Sequence, residues 1–100
     1  MSKQHHHVTL TPRPDKTAET RELLARAEEL VTSKQPENGP TSWCASVSED
    51  GKKFFVAALF ENQKAVDFHQ ANLADIAKEF GAMMAAPLEI TIHTVIAAAS

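Results

Sequence analysis

The run FFVAALF at residues 54–60 has no polar side chain and constrains the fold more than any other stretch of the sequence. Successive side chains of a β-strand point to opposite faces of its sheet. One face of this strand carries Phe54, Val56, Ala58 and Phe60, and the other carries Phe55, Ala57 and Leu59. Both faces are apolar, so a chain of 100 residues must provide a cover for each of them.

The first half of the chain predicts a strand, a helix and a second strand. Residues 5–11, HHHVTLT, alternate in polarity as a half-buried strand does. An apolar stripe at helical spacing predicts an amphipathic helix over about residues 17–33. A second strand is expected over about residues 41–48, and Asp50-Gly51 predicts a tight turn into the apolar run. The two strands joined by this turn must pair antiparallel.

The second half of the chain predicts a helical region and a final strand. Asn62 is a good N-cap residue, and the apolar stripe that follows it continues towards Pro87, with Asn72 as a candidate break. LEITIHTVI, residues 88–96, predicts a fourth strand. The order β-α-β-β-α-β predicts an α+β, ferredoxin-like fold, in which a four-stranded antiparallel sheet carries two helices on one face.

Composition and charge limit the class of protein. The length predicts one domain over residues 1–100. The formal charge of −3 provides no basic field for nucleic acid or an anionic membrane surface. No segment has the roughly 20 apolar residues that span a bilayer. Cys44 is the only cysteine, which fits a reducing cytoplasm and predicts a small buried residue. We therefore expect a cytoplasmic protein without a nucleic-acid or membrane partner.

The predicted fold leaves one face of the sheet without a cover. Both helices pack on the same face, and no other segment is long enough for the opposite one. Leaving three or four large apolar side chains in water would forgo about 1.5–3 kcal/mol each. A second copy of the chain, packed sheet against sheet, is the simplest cover, because two-fold dimers are the commonest oligomers. We expect a homodimer with room for a small apolar or aromatic ligand.

Residues 55–72, FVAALFENQKAVDFHQAN, resemble a strand and helix of the antibiotic biosynthesis monooxygenase family of dimeric α+β barrels. Ala65, Val66 and His69 match the family pattern A-[LVF]-x-x-H. The segment VTLTPRPDKTAETRELL is also similar to the family's first strand, turn and helix. The resemblance covers about residues 6–96 and implies that the core of the domain lies there. The resemblance implies a dimeric barrel that acts as a cofactor-independent monooxygenase on phenols or quinols. The family also includes haem-degrading enzymes and an isomerase, so the fold alone does not choose the reaction.

Three positions differ from the better-understood monooxygenases of the family. Many members have an acidic residue at the end of the apolar strand and a tryptophan two positions later, where this chain has Ala58 and Phe60. The phenol-oxidising members place an asparagine earlier on the same face, where this chain has Val56. The polar groups of those members therefore have no counterpart at these positions.

His69 is the first candidate for a catalytic residue. It lies on the apolar stripe of the second helical region, one turn after Ala65 and one turn before Leu73. An imidazole with an ordinary pKa near 6.5 suits a general base or acid at neutral pH. A histidine on an apolar face is also commonly a hydrogen-bonded core residue. His69 is thus expected either to serve as base or substrate anchor or to pack in the core.

His7 and His93 are secondary catalytic candidates because of the topology. The first and fourth strands of this fold are antiparallel neighbours, and their apolar residues should face the helices. The opposite face, which is expected to line the dimer cleft, then carries His5, His7, Glu89 and His93. Such a group could relay protons, contact a ligand or bind a metal, although its spacing matches no recognised metal motif. The alternative is a set of polar residues at a wet edge.

The expected substrate-binding residues come from two strands and the second helical region. They are Trp43, Phe54, Val56, Ala58, Phe60 and Met83. Trp43 could pack in the core or stack on a flat substrate. The phenylalanines are hydrophobic filling first and substrate walls second.

The sequence has no motif for nucleotide, flavin or structural zinc, so no cofactor is expected. The leading hypothesis is a cofactor-independent monooxygenase-like enzyme acting on a small aromatic or quinol substrate. In such chemistry the substrate anion reduces dioxygen, and the protein deprotonates, orients and excludes water. The alternatives are an isomerase or cyclase on the same scaffold and a non-catalytic binding protein for a small apolar metabolite.

Overall fold

A four-stranded antiparallel sheet forms one layer of the protein, and the computed structural model describes residues 3–99. The strands are β1 (Gln4–Leu10), β2 (Ser42–Val47), β3 (Phe54–Phe60) and β4 (Glu89–Thr94). Their order across the sheet is β2-β3-β1-β4, which confirms the predicted α+β, ferredoxin-like fold. The first two residues and the last one lie outside the described residues, so the single-domain prediction for residues 1–100 stays a prediction.

Within residues 3–99, three α-helices form the other layer, where two were predicted. They are α1 (Thr17–Lys34), which follows a 3₁₀ turn at Pro14–Lys16, α2 (Gln63–Asn72) and α3 (Ala74–Met83). The break was expected at Asn72 and lies at the next residue, Leu73, where it divides the second helical region into α2 and α3. Asn62 caps α2 as predicted, because its side-chain oxygen accepts a hydrogen bond from the backbone N–H of Ala65 at 2.9 Å. Within residues 3–99, no helix is long and apolar enough to cross a membrane.

The buried core lies between the sheet and the helices. Its apolar side chains are Leu10, Leu23, Leu24, Ala27, Val31, Phe54, Ala58, Phe60, Val66, Ile76 and Phe80. The larger cluster joins α1 and α3 to Leu10 and Phe54. A smaller cluster joins Val66 of α2 to Ala58 and Phe60. One face of the apolar run in β3 thus contributes to both clusters.

The helices cover β1 and β3 but leave β4, an edge strand, largely open. Ile90 pairs with Val8 and Ile92 pairs with His6, so both isoleucines lie on the helix-facing side, as predicted. They are nevertheless 56% and 61% exposed. Within residues 3–99, no β4 side chain belongs to the buried core. The helix layer is therefore narrower than the sheet that it covers.

The other edge strand, β2, overturns one prediction. Trp43 pairs with Ala58 and lies on the helix-facing side, whereas Cys44 lies on the opposite side. Cys44 is exposed, so the prediction of a buried cysteine is wrong. The reason is its position, because an edge strand on the uncovered face of a sheet has no layer above it.

Candidate functional site

An apolar cavity of about 250 Å³ lies between the sheet and the helices. All four strands or their flanking residues and all three helices contribute to its walls, which carry only a few polar side chains, including His69 and Gln70. An apolar cavity of roughly 150 Å³ is large enough to bind benzene. This cavity can therefore hold a flat molecule of one or two rings.

Two buried polar atoms belong to side chains that line this cavity. Trp43 Nε1 and His69 Nδ1 have no hydrogen-bond partner within residues 3–99. Buried polar groups in proteins are nearly always paired, so each orphaned atom calls for an explanation. The indole N–H can only donate, whereas a neutral imidazole nitrogen can donate or accept. A ligand with complementary polar atoms would satisfy both groups.

His69 is neutral at physiological pH. Burial, followed by the charge of His6, lowers its pKa from 6.5 to about 4. The His69 ring packs edge-on against Phe60, with the ring centroids 5.2 Å apart. A neutral imidazole held in this way offers a lone pair to a hydroxyl without bringing a charge into the apolar site.

His6 lies beside this site, although it was not among the residues predicted from the sequence. His6 pairs with Ala58 on one side and Ile92 on the other, and therefore lies on the helix-facing side of β1. Its ring lies 4.9 Å from that of Phe60, and burial, followed by the charge of His5, lowers its pKa. The alternation that places Val8 on this face was a sufficient signal, because it also places the residue two positions earlier there.

The predicted substrate-binding residues separate into two groups. Trp43 and Val56 line the cavity together with His69. Phe54, Ala58 and Phe60 are buried in the core behind it, and Met83 packs against the larger core cluster. Phe54 also lines a groove of about 370 Å³ between α1 and β2, whose rim carries Arg21 and Glu28.

His7 and His93 lie on the face of the sheet opposite to the cavity. His93 pairs with His5, and their rings stack with centroids 6.2 Å apart. His7 pairs with Thr91, and its ring lies 5.9 Å from that of Phe55. This shared face was predicted, and it separates these histidines from His69. Within residues 3–99, no three His, Cys, Asp or Glu side chains are grouped so as to hold a metal ion.

Comparisons with known proteins agree with this architecture. Residues 4–86 match the family described as antibiotic biosynthesis monooxygenase. No curated protein sequence matches the chain significantly. Among solved structures, Rv0793 from Mycobacterium tuberculosis is 22% identical, with a TM-score of 0.84 over 99% of this chain and 100% of the other.

Two further structures share the fold. NE2512 from Nitrosomonas europaea, described as a protein of unknown function, is 22% identical, with a TM-score of 0.82 over 100% of this chain and 95% of the other. A structure described as an antibiotic biosynthesis monooxygenase is 13% identical, with a TM-score of 0.78 over 94% of this chain and 99% of the other. At these identities the structural likeness shows the fold alone.

Proposed function

Because the chain belongs to the antibiotic biosynthesis monooxygenase family, we propose that it is a cofactor-independent monooxygenase-like enzyme acting on a small aromatic or quinol substrate. The observation that carries the proposal is the apolar cavity with His69 in its wall and the orphaned Nδ1 of that residue. The walls suit a flat ring, and the imidazole suits its hydroxyl group. Val56 and Trp43 form part of the walls, Phe54, Ala58 and Phe60 support the cavity from the core, and Met83 packs against that core.

The low pKa of His69 limits which substrates it can deprotonate. A simple phenol has a pKa near 10, so full proton transfer to an imidazole of pKa about 4 costs about 8 kcal/mol. The cost falls if the hydroxyl is conjugated with a carbonyl, and also because the new anion stabilises the imidazolium beside it. His69 thus accepts a hydrogen bond from any substrate hydroxyl and acts as a base only towards an acidic one.

The proposed reaction needs no reductant other than the substrate. A phenol and dioxygen give a quinone and water: one oxygen atom forms a bond to the ring carbon, and the other leaves as water. The ring loses a C–H hydrogen and the hydroxyl its O–H hydrogen, and these two hydrogens appear in the water. The protein's contribution is to orient the substrate, accept the hydroxyl proton and exclude bulk water.

Trp43 adds a requirement for the other end of the substrate. Its indole N–H is buried, has no partner within residues 3–99, and can only donate. The matching ligand atom is therefore an acceptor, such as a carbonyl or phenolate oxygen. A hydroxyquinone carries both this acceptor and an acidic hydroxyl for His69.

The second part of the proposal is that the protein is a cytoplasmic homodimer. The half-buried side chains Phe55, Ala57 and Leu59 lie on the sheet face that the helices do not cover. A second copy packed on this face would shield them and would place His7 and His93 at the interface, as secondary groups. The exposed thiol of Cys44 is compatible with the reducing conditions of the cytoplasm.

Oxygen uptake tests the proposed activity. The protein is incubated with a panel of hydroquinones, naphthols and hydroxynaphthoquinones, and the uptake is compared with that of each compound alone. Two variants sharpen the result: His69→Phe retains a ring without nitrogen, and His69→Asn retains a polar atom near the position of Nδ1. We expect uptake above background with at least one hydroxylated compound, lost in His69→Phe and reduced by about 10²–10⁴ in His69→Asn.

Two other outcomes would overturn the proposal. Conversion of a substrate without dioxygen would identify an isomerase or cyclase. Saturable thermal stabilisation by the same compounds without any turnover would identify a binding protein.

A further inference from the structure

A chain of hydrogen-bonded side chains runs from α2 to His6 at the start of the sheet. Gln63 Nε2 donates to Asp67 Oδ1, and Gln4 Nε2 donates to Gln63 Oε1, each at 2.9 Å. His6 Nε2 lies 2.9 Å from Gln4 Oε1. These contacts join β1 to the first turns of the helix that carries His69.

The direction of every bond in this chain follows from its acidic end. A carboxylate can only accept hydrogen bonds, so Gln63 must turn its NH₂ group towards Asp67 and its carbonyl towards Gln4. Gln4 must then turn its NH₂ group towards Gln63 and its carbonyl towards His6. A carbonyl can only accept, so His6 Nε2 carries the hydrogen, and in the neutral ring Nδ1 is unprotonated.

Aromatic contacts connect His6, at the end of this chain, to His69 in the wall of the cavity. The Phe60 ring contacts two imidazoles, with its centroid 4.9 Å from that of His6 and 5.2 Å from that of His69 and with interplanar angles of 58° and 62°. Phe60 is 1% exposed, so its ring is packed among protein atoms and away from solvent. Asp67 and His69 lie on the same helix, and the contacts therefore form a closed circuit from α2 through β1 and β3 back to α2.

We propose that His6 is a positioning residue for His69, held in its Nε2–H form by Gln4, Gln63 and Asp67 and acting through the ring of Phe60. Neither His6 nor Phe60 lines the cavity, so the action is indirect. The catalytic role of this positioning rests on the proposed function of His69, but the chain of hydrogen bonds from Asp67 to His6 does not. His6 lies outside the short pattern A-[LVF]-x-x-H that contains His69.

Asp67→Asn tests the directional argument. Asparagine can donate as well as accept, so the whole chain can reverse and His6 Nε2 can become an acceptor. Long-range proton–nitrogen NMR of the labelled protein distinguishes the two neutral forms of a histidine ring. We expect a single Nε2–H form of His6 in the unmodified protein and a mixture of both forms in Asp67→Asn.

Asp75→Asn is the matched control. It removes the same charge from an exposed position in the first turn of α3. We expect the His6 ring to be unchanged in this variant. A protonated Nδ1 in the neutral ring of the unmodified protein, or an Asp67→Asn variant whose His6 signals match those of the control, would overturn the proposal.

The His69 ring reports whether the positioning reaches the cavity. His6→Phe keeps an aromatic contact with Phe60 but removes the hydrogen bond to Gln4, whereas His6→Gln keeps a donor and removes the ring. If His6 acts through Phe60, the ring signals of His69 shift in His6→Gln more than in His6→Phe. If both variants fold and their His69 ring signals match those of the unmodified protein, the proposal is contradicted.

Turnover provides a second readout if the oxygen-uptake experiment identifies a substrate. His6→Gln should lower kcat by about ten- to a hundredfold with little change in KM, because a displaced base affects the reaction more than binding. If the unmodified protein shows no uptake, the proposed activity fails while the NMR result still decides the role of His6. If uptake is present and both His6 variants retain full kcat, the positioning role fails alone.

Discussion

The two faces of β3 have nearly the same composition but different surroundings. On the helix-facing side, Phe54 and Phe60 are 2% and 1% exposed, and they pack into the two core clusters. On the other side, Phe55 and Leu59 are only half-buried, because no helix of residues 3–99 lies over them. The comparison teaches that an apolar strand specifies two surfaces to be covered, while the rest of the chain decides which one it can cover itself.

The largest expected difference between the two faces is in stability. Phe60→Ala removes a nearly fully buried ring from the smaller core cluster and should lower the free energy of unfolding by about 3–5 kcal/mol. Leu59→Ala, one residue away on the other face, should cost about 1 kcal/mol in the monomer, because that side chain is already partly hydrated.

Urea denaturation at a protein concentration that favours the monomer measures both values. A loss for Leu59→Ala that equals the loss for Phe60→Ala would show that the two faces are equally buried. That result would remove the distinction between the faces.

The second prediction concerns the pH dependence of stability on the cavity side. His69 has a pKa of about 4 in the folded protein against 6.5 in the unfolded chain, so the unfolded chain binds more protons between these values. The free energy of unfolding should therefore rise as the pH increases from about 4 to 6.5. The contribution is at most about 3 kcal/mol, lessened because solvent reaches part of the side chain.

Urea midpoints measured at intervals across this pH range test the prediction. His69→Phe is the control, since it removes this titrating ring and should make that part of the curve shallower, while the lowered pKa of His6 leaves a dependence of the same sign. An equally steep curve in the variant would assign the dependence to other groups.

The third prediction concerns self-association through the uncovered face. Leu59→Lys places a charge on that face and should weaken the proposed dimer at least tenfold. Thr32→Lys adds the same charge at an exposed position of α1 and should leave association unchanged. Sedimentation equilibrium at several concentrations compares the two variants, and equal dissociation constants would indicate that this face is not the interface.

The smallest effect is expected at the start of α2, the helix that carries His69. Asn62→Ala removes the acceptor for the N–H of Ala65 and should cost about 1 kcal/mol. Asn62→Asp keeps an acceptor and should retain most of the stability. Thermal melts of both variants check this ranking, and equal losses would show that the cap contributes little.

The fold could be predicted from the sequence because the patterns for individual strands and helices were consistent with one topology. The alternation of β1, the uninterrupted run of β3 and the cap at Asn62 each specify an element, and the topology rules leave one arrangement for them. His69 was also found from its place on an apolar stripe. Its neutral state could not be derived, because the depth of its burial depends on how closely α2 approaches Phe60.

The remaining differences between prediction and structure arise because the sequence does not show which side chains at the edges of the sheet are covered. Cys44 was expected to be buried and is exposed, and Ile92 lies on the predicted side but is 61% exposed. Both residues lie on edge strands. The alternation of side chains along a strand predicts which face a residue lies on, but it does not predict whether the helix layer is wide enough to cover that strand. His6 was missed although alternation places it with Val8, because nothing local in the sequence links it to Gln63 and Asp67.

The most direct test of the division between the two faces is a methyl-resolved NMR titration with a hydroxynaphthoquinone. The cavity account predicts saturable shifts of the methyl signals of Val56, Leu73 and Ile76, together with changes in the His69 ring. Leu59 and Thr91, on the uncovered face, should remain unperturbed at the same ligand concentrations. Shifts confined to Leu59 and Thr91 would place the ligand on the opposite face and contradict the account.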